Sequence, residues 1–180
     1  YVLAIGSDDD VAQSLPFTHI EKAHFCEGGA ERVDSVLSAL NYLSTIADAD
    51  DWVFVHDAAR PCVTQDCLFK LVDTAIQSNR GAILAIPVRD TLKRVISAQD
   101  IQETVDRSQL WQAQTPQIAK LGVLKSAIEH ALVANAVITD EASALEFVGQ
   151  PVQVVQGRSD NIKITYPDDL ELARLILAAQ

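Results

Sequence analysis

The sequence is short of positive charge. Its 180 residues hold 14 Lys and Arg against 25 Asp and Glu, a net charge of −11. A nucleic-acid surface needs a basic stripe, and none is present, so nucleic acid is excluded as a partner. Any anionic ligand has to be gripped by a few local cations and not by the overall field. Long apolar runs are also absent. The short ones are broken by charges, so no segment can span a bilayer and no membrane role is expected. Cysteine is scarce: Cys26, Cys62 and Cys67 are odd in number and fit no zinc spacing. They are expected to be reduced, mostly buried thiols of a cytoplasmic protein. No G-x-G-x-x-G occurs, which ranks a nicotinamide dehydrogenase last among the candidate functions. There is no methionine and no signal peptide, and the chain opens at Tyr1 inside YVLAIG, itself a strand pattern. A preceding N-terminal part is therefore expected. Internal repeats, low-complexity segments and linkers are missing too, so residues 1–180 are expected to form one domain.

What is present alternates short β-branched apolar runs with helical patterns. Strands are predicted in Tyr1–Gly6, within HIEKAHFCEGG, at Trp52–Val55 (a buried one), at Gly81–Val88 and at Pro151–Val155. The run GAILAIPV is continuously apolar, as a central parallel strand is. Helices are predicted over Glu31–Ala47, after a Thr64 cap with Asp66 in the first turn, and over Leu121–Ala134, Asp140–Phe147 and Pro167–Ala179. In the first of these, Val33, Val36, Leu37, Leu40, Leu43 and Ile46 recur at three- and four-residue steps, on one face. Alternation of this kind predicts a doubly wound α/β sheet. Residues 89–117 are the exception. LKRVI and IQETVD form a charged hairpin around the turn SAQD that cannot bury itself, then a return strand. It reads as an arm that packs on a partner subunit.

In open α/β sheets, ligands bind beyond the carboxyl ends of the strands. Asp57 and Arg60 follow WVFV. Arg89, Asp90, Thr91 and Lys93 follow GAILAIPV, and Asp160, Asn161, Lys163 and Thr165 follow VQVV. Gly28, Gly29, Arg32 and Ser35 sit between a strand and a helix start. Singly, each reads as a cap or a surface ion pair, and a mutual Asp57–Arg60 pair accounts for that segment equally well. Together, acids, cations and hydroxyls at one sheet edge suit a metal-assisted phosphate reaction. A strand-end carboxylate can take Mg²⁺, whose other ligands are waters and phosphate oxygens. An arginine offers a bidentate grip on phosphate. His56 is expected on the face opposite Asp57 by strand alternation, in a structural role. His19, His24 and His130 are expected at the surface without partners, and Trp52 and Trp111 in packing.

Seven ordered motifs, GGAERVDSVLSAL, VHDAARP, PVRDTLKR, TVDR, QTPQ, TDEASALE and GRSDNIKIT followed by PDDL, resemble the 2-C-methyl-D-erythritol 4-phosphate cytidylyltransferase family over almost the whole chain. The resemblance implies a Rossmann-like nucleotidyltransferase fold and a homodimer joined by a protruding β-arm. It implies transfer of cytidylyl from CTP to methylerythritol phosphate with Mg²⁺, in non-mevalonate isoprenoid synthesis. It also implies the roles of individual residues. Gly28 and Gly29 would lie against the cytosine, Ser35 near base and ribose, and Ala58 beside the ribose. Asp57 and Arg60 would belong to the methylerythritol phosphate site, with Asp57 also near the metal and Asp160 as a second carboxylate for it. Thr115 and Thr139 would contact substrate through their hydroxyls. Lys163 would touch phosphate at the reacting centre, and Thr91 and Arg107, on the arm, would reach the neighbouring subunit's site. The family's glycine-rich triphosphate loop has no match in this sequence, and Ala30 replaces an acid common among relatives. Two rival functions remain: ribitol 5-phosphate cytidylyltransferase, which shares HDAARP and QTPQ, and a truncated chain acting only as a dimeric scaffold.

Overall fold

The apolar run at residues 81–88 becomes β4 (Gly81–Pro87), in the computed structural model of the protein, which describes residues 1–16, 18–97 and 99–180. β4 is an interior strand of a four-stranded sheet ordered β3-β7-β4-β8, with β3 at Trp52–Val55, β7 at Trp111–Lys120 and β8 at Val152–Gln156. Its residues Ala82 to Ala85 are all buried, as a strand with neighbours on both sides requires. Among the described residues β3 has one neighbour only, and there the expectation of a buried strand fails. Val53 is covered, but Phe54 is 44% exposed. The long β7 contradicts the usual reading of proline, because Pro116 lies within it after a cis Thr115–Pro116 bond.

The chain divides into two compact units, residues 1–55, 79–81 and 118–152 in the first and 56–78, 82–117 and 153–180 in the second. In the first unit β1 (Val2–Ile5) and β2 (His24–Glu27) pair in parallel, Val2 opposite His24 and Ile5 opposite Glu27, as a separate two-stranded sheet. Helix α1 (Arg32–Leu43) is shorter than its apolar periodicity predicts. Ser44 closes it by donating its hydroxyl to Leu40 O at 2.8 Å, which leaves Ile46 past the helix and exposed. Leu40 packs with Val53, with Leu121, Leu124 and Ile128 of α3 (Leu121–Val133), and with Leu145 of α4 (Glu141–Phe147). Each such side chain, fully buried, contributes about 1.5–3 kcal/mol. Asp140 caps α4 by accepting from Ser143 N at 2.9 Å, while Ser143 Oγ accepts from Asp140 N at 3.1 Å.

In the second unit, Thr64 caps α2 (Gln65–Ser78) through its hydroxyl, 3.4 Å from Cys67 N. Helix α5 (Pro167–Ala178) starts on a proline, and Asp169 in its first turn accepts from Thr165 N and Tyr166 N, both at 2.9 Å. β5 (Leu92–Val95) and β6 (Ile101–Val105) form the antiparallel hairpin. Arg94 Nε meets Glu103 Oε1 at 2.7 Å, and Lys93 Nζ donates to Thr104 Oγ1 at 2.6 Å. Val95, Ile96 and Ile101 are exposed on it. Ala98, in the turn SAQD, lies outside the described residues.

Cys62 and Cys67 are buried and Cys26 is half-buried, all as free thiols. Three histidines depart from expectation by having partners: His24 Nδ1 bonds Tyr42 Oη at 2.8 Å, His130 Nδ1 bonds Ser126 O at 2.7 Å, and His19 pairs with Glu21. The Trp52 ring centroid lies 6.0 Å from Lys120 Nζ, and Trp111 is 44% exposed. No helix among the described residues is long and apolar enough to cross a membrane.

Candidate functional site

In the second unit three segments meet: the turn after β3, the QTPQ stretch of β7, and the loop after β8. The turn closes on itself, with Arg60 N donating to Asp57 O at 2.9 Å. Pro61 then prevents the extended chain from continuing as a ladder strand. Asp57 N donates to Thr115 Oγ1 at 3.0 Å, and His56 Nδ1 lies 3.0 Å from the same oxygen. His56 Nε2 faces Arg60 O at 3.0 Å. Strand alternation does not separate His56 from Asp57, since β3 ends at Val55 and both residues converge on Thr115. The structural role expected of His56 stands. Part of the residue is open to solvent, but its ring nitrogens face protein, and desolvation lowers its pKa below the usual 6.5.

The loop after β8 is tied to this turn by backbone and side chain alike. Ile164 N donates to Ala59 O at 2.8 Å, and Arg60 Nη1 donates to Asn161 O at 2.8 Å. Asn161, 1% exposed, donates Nδ2 to Thr115 O at 2.9 Å. Gln114 Nε2 donates to Arg158 O at 2.8 Å and Asn161 O at 3.3 Å. The result is that Lys163 Nζ stands 3.1 Å from Asp57 Oδ2, with the Asp57 side chain 14% exposed and Lys163 48% exposed. Arg60 Nε is 4.0 Å from the same carboxylate oxygen, and burial lowers the guanidinium's pKa.

So the structure brings Asp57, Arg60, Thr115 and Lys163 together, with Ala58 exposed on the turn. It changes what one of them can do. Thr115 is 5% exposed and its hydroxyl holds the turn, where the sequence suggests a substrate contact. Arg60 donates one of its five N–H groups to the loop carbonyl, which anchors the guanidinium and leaves its other donors for a ligand. Asp160 is engaged by Arg158, whose Nε lies 2.8 Å from Oδ1, and that guanidinium holds its carboxyl below the usual range. Among the described residues no three His, Cys, Asp or Glu side chains cluster as a metal cage. A single carboxylate such as Asp57, with phosphate oxygens and waters completing the shell, is nonetheless a normal Mg²⁺ arrangement. Asp57 fits that ion, and Asp160 as placed fits it less well.

In the first unit the glycine pair is dictated by close packing. A Cβ on Gly29 would sit 2.2 Å from Asp34 Cβ, and one on Gly28 would sit 3.0 Å from Ser35 Oγ. Ser35 Oγ accepts from Gly29 N at 3.0 Å, so the hydroxyl and the glycine backbone form one surface at the start of α1. Beside it Arg32 makes a bidentate pair with Glu141, Nη1 to Oε1 at 2.7 Å and Nη2 to Oε2 at 3.1 Å. Glu141 is 3% exposed. A cavity of about 230 Å³ lies against this pair, lined by Val33, Ile128, Ile138 and Thr139 among others. Thr139 is exposed, and its amide donates to Ser143 Oγ at 3.1 Å. On the arm, Thr91 is exposed at the foot of the hairpin, and Arg107 Nη1 donates to Val88 O at 3.3 Å. The sequence gives no local sign of the Asn161 hub or the Arg32–Glu141 pair, whose partners are 109 residues apart.

Comparison with known proteins gives the family. Residues 1–179 match the model of the family described as IspD, 2-C-methyl-D-erythritol 4-phosphate cytidylyltransferase. A 2-C-methyl-D-erythritol 4-phosphate cytidylyltransferase from Acinetobacter baumannii (strain SDF) is 71% identical over the whole of this chain, which spans 76% of that protein's length. The protein of that name from Photobacterium profundum is 51% identical over 98% of the chain and 76% of its own length. Among solved structures, a 4-diphosphocytidyl-2C-methyl-D-erythritol synthase superposes with a TM-score of 0.87 at 38% identity, covering 98% of this chain and 81% of the other. The Francisella tularensis cytidylyltransferase gives 0.83 at 41% identity, covering 97% and 79%. The fold is thus the mixed α/β nucleotidyltransferase type, and the chain belongs to the 2-C-methyl-D-erythritol 4-phosphate cytidylyltransferase family.

Proposed function

We propose that this protein is a nucleotidyltransferase that joins CTP to 2-C-methyl-D-erythritol 4-phosphate, giving 4-diphosphocytidyl-2-C-methyl-D-erythritol and pyrophosphate in isoprenoid biosynthesis by the non-mevalonate route. The observation that carries the mechanism is Lys163 Nζ, from the loop after β8, held 3.1 Å from Asp57 Oδ2 in the turn after β3. The substrate phosphate is itself the nucleophile and is ionised near neutral pH, so no strong general base is needed. One of its oxygens attacks the α-phosphorus of CTP in line. The bond from that phosphorus to the bridging oxygen breaks, and pyrophosphate leaves with the electron pair.

The protein's work is then positioning and charge stabilisation. Without substrate, Lys163 and Asp57 neutralise one another. Lys163 is half exposed and can turn its ammonium to the α-phosphate oxygens as negative charge grows there, while Asp57 stays fixed by its amide on Thr115. Mg²⁺, when bound, would be held by Asp57 and would offset repulsion between phosphate oxygens. Gly28, Gly29 and Ser35 offer backbone and hydroxyl groups to the cytidine, with Thr139 a further hydroxyl for substrate. Arg107 and Thr91 are assigned to the neighbouring subunit's site in a cytoplasmic homodimer built through the hairpin. The exposed Val95, Ile96 and Ile101 support that role for the arm.

The test is direct: CTP with methylerythritol phosphate or with ribitol 5-phosphate, following pyrophosphate release by the full-length protein. Faster turnover of methylerythritol phosphate is expected. A preference for ribitol 5-phosphate would transfer the assignment to that enzyme class, and no turnover of either would leave a dimeric scaffold.

A further inference from the structure

The donors and acceptors around the turn after β3 can be assigned one at a time. The Arg60 carbonyl, 3.0 Å from His56 Nε2, can only accept, so the proton of the neutral ring sits on Nε2. Nδ1 is then an acceptor, and the Thr115 hydroxyl 3.0 Å away has to be the donor. With its hydrogen committed to the ring, Thr115 Oγ1 presents its lone pairs to Asp57 N, which donates to it at 3.0 Å. Each bond fixes the polarity of the next. The chain begins at the amide of Asp57 and ends at the carbonyl of Arg60, so one imidazole spans both ends of the turn. Arg60 N to Asp57 O at 2.9 Å closes the same turn from within. The turn in turn carries the carboxylate that meets Lys163 at 3.1 Å and the Ala59 carbonyl that anchors Ile164.

We propose that His56 is a positioning residue for phosphoryl transfer: acting through Thr115 and Arg60 O, it fixes the turn that aims Asp57 and Lys163 at the reacting phosphates. It touches no substrate. This rests on the assignment of Asp57 and Lys163 to the reacting centre. A phenylalanine keeps the ring's bulk and loses both polar ends. An asparagine can restore an acceptor near Nδ1, and a glutamine a donor near Nε2. A misplacement of the order of 1 Å at a reacting group costs roughly 100-fold in rate. His56→Phe is therefore expected to lower kcat by roughly 10- to 100-fold, because the turn is loosened and not lost.

The experiment measures kcat and the KM for CTP in the full-length protein for His56→Phe, His56→Asn, His56→Gln and Lys163→Ala, with kcat counted per CTP-binding site. The expected result is a fall in kcat for His56→Phe with the KM for CTP nearly unchanged, and recovery of part of that loss by Asn or Gln. If His56→Phe does not fold, Thr115→Val, which removes the hydroxyl at constant shape, is expected to reproduce the kcat loss. A kcat within about twofold of the parent for His56→Phe, or for Thr115→Val in its place, overturns the proposal. So does a loss that neither amide recovers. If Lys163→Ala alone keeps full turnover, the reacting-centre assignment fails and the positioning role falls with it. If Lys163→Ala is inactive while His56→Phe is normal, only the positioning role falls.

Discussion

Replacing Glu141 by glutamine isolates the bidentate pair with Arg32. The change keeps the side chain's shape and one acceptor, but it removes the charge that both guanidinium nitrogens meet at 2.7 and 3.1 Å. Breaking a fully buried pair from one side costs about 3–5 kcal/mol. Glu141 is close to that limit with a side chain 4% exposed, but Arg32 is 35% exposed, so water recovers part of the cost. The substitution also removes an acid from the first turn of α4, worth about 0.3–1 kcal/mol. Together these point to a destabilisation of about 2 kcal/mol once solvent screening is allowed for. For a chain of this size that corresponds to a melting temperature lower by about 4–8 °C. The assay is calorimetric unfolding of Glu141→Gln, Arg32→Met and the double variant, read as a thermodynamic cycle. The expected coupling energy is on the order of 1.5 kcal/mol. A Glu141→Gln protein that melts within about a degree of the parent, with coupling below about 0.5 kcal/mol, would refute the pair's contribution.

Two further perturbations follow from local geometry. Gly29→Ala places a Cβ 2.2 Å from Asp34 Cβ, an atom that cannot swing aside, so the start of α1 has to shift. A cost of about 1–3 kcal/mol in stability, with weaker CTP binding by calorimetric titration, is expected; unchanged CTP affinity would remove this surface from the nucleotide site. Asp169 has its pKa lowered from 3.8 by the amides of Tyr166 and Thr165. A depressed carboxyl binds fewer protons in the folded state, so its contribution is present above pH 3.8 and is lost as pH falls through the folded value. Asp169→Asn should therefore lose less stability than the parent between neutral and strongly acidic pH in denaturant titrations. Parallel curves for the two proteins would contradict the linkage.

Much of the fold is legible because periodicity and capping are local. The face Val33–Val36–Leu37–Leu40 announces a helix, although α1 stops at Leu43, and Thr64 with Asp66 announces the start of α2. The apolar run from Gly81 announces a strand with two neighbours. What is not legible depends on partners far along the chain. Pro116 hides the ten-residue β7, because proline ordinarily bars an interior strand. Phe54 looks buried in WVFV, and only the sheet order shows that β3 lies at an edge. β1 and β2 look like members of the main sheet and, among the described residues, pair only with each other. The candidate site divides in the same way. Asp57 and Lys163 stand out as charged residues after apolar strands, which local sequence can show. Thr115, Asn161 and Glu141 owe their places to groups 58, 46 and 109 residues away, so no short pattern announces what they hold.

The most direct measurement is pyrophosphate release by Lys163→Ala in the full-length protein, with CTP and methylerythritol phosphate both saturating. Removing one charge contact to the developing phosphate should lower kcat by roughly 10²- to 10³-fold. The melting temperature should stay close to the parent's, since Lys163 is half exposed and its ammonium is not part of the hydrogen-bonded hub around Asn161. Turnover near the parent's, in a protein shown to be folded, would contradict a reacting centre built on Asp57 and Lys163.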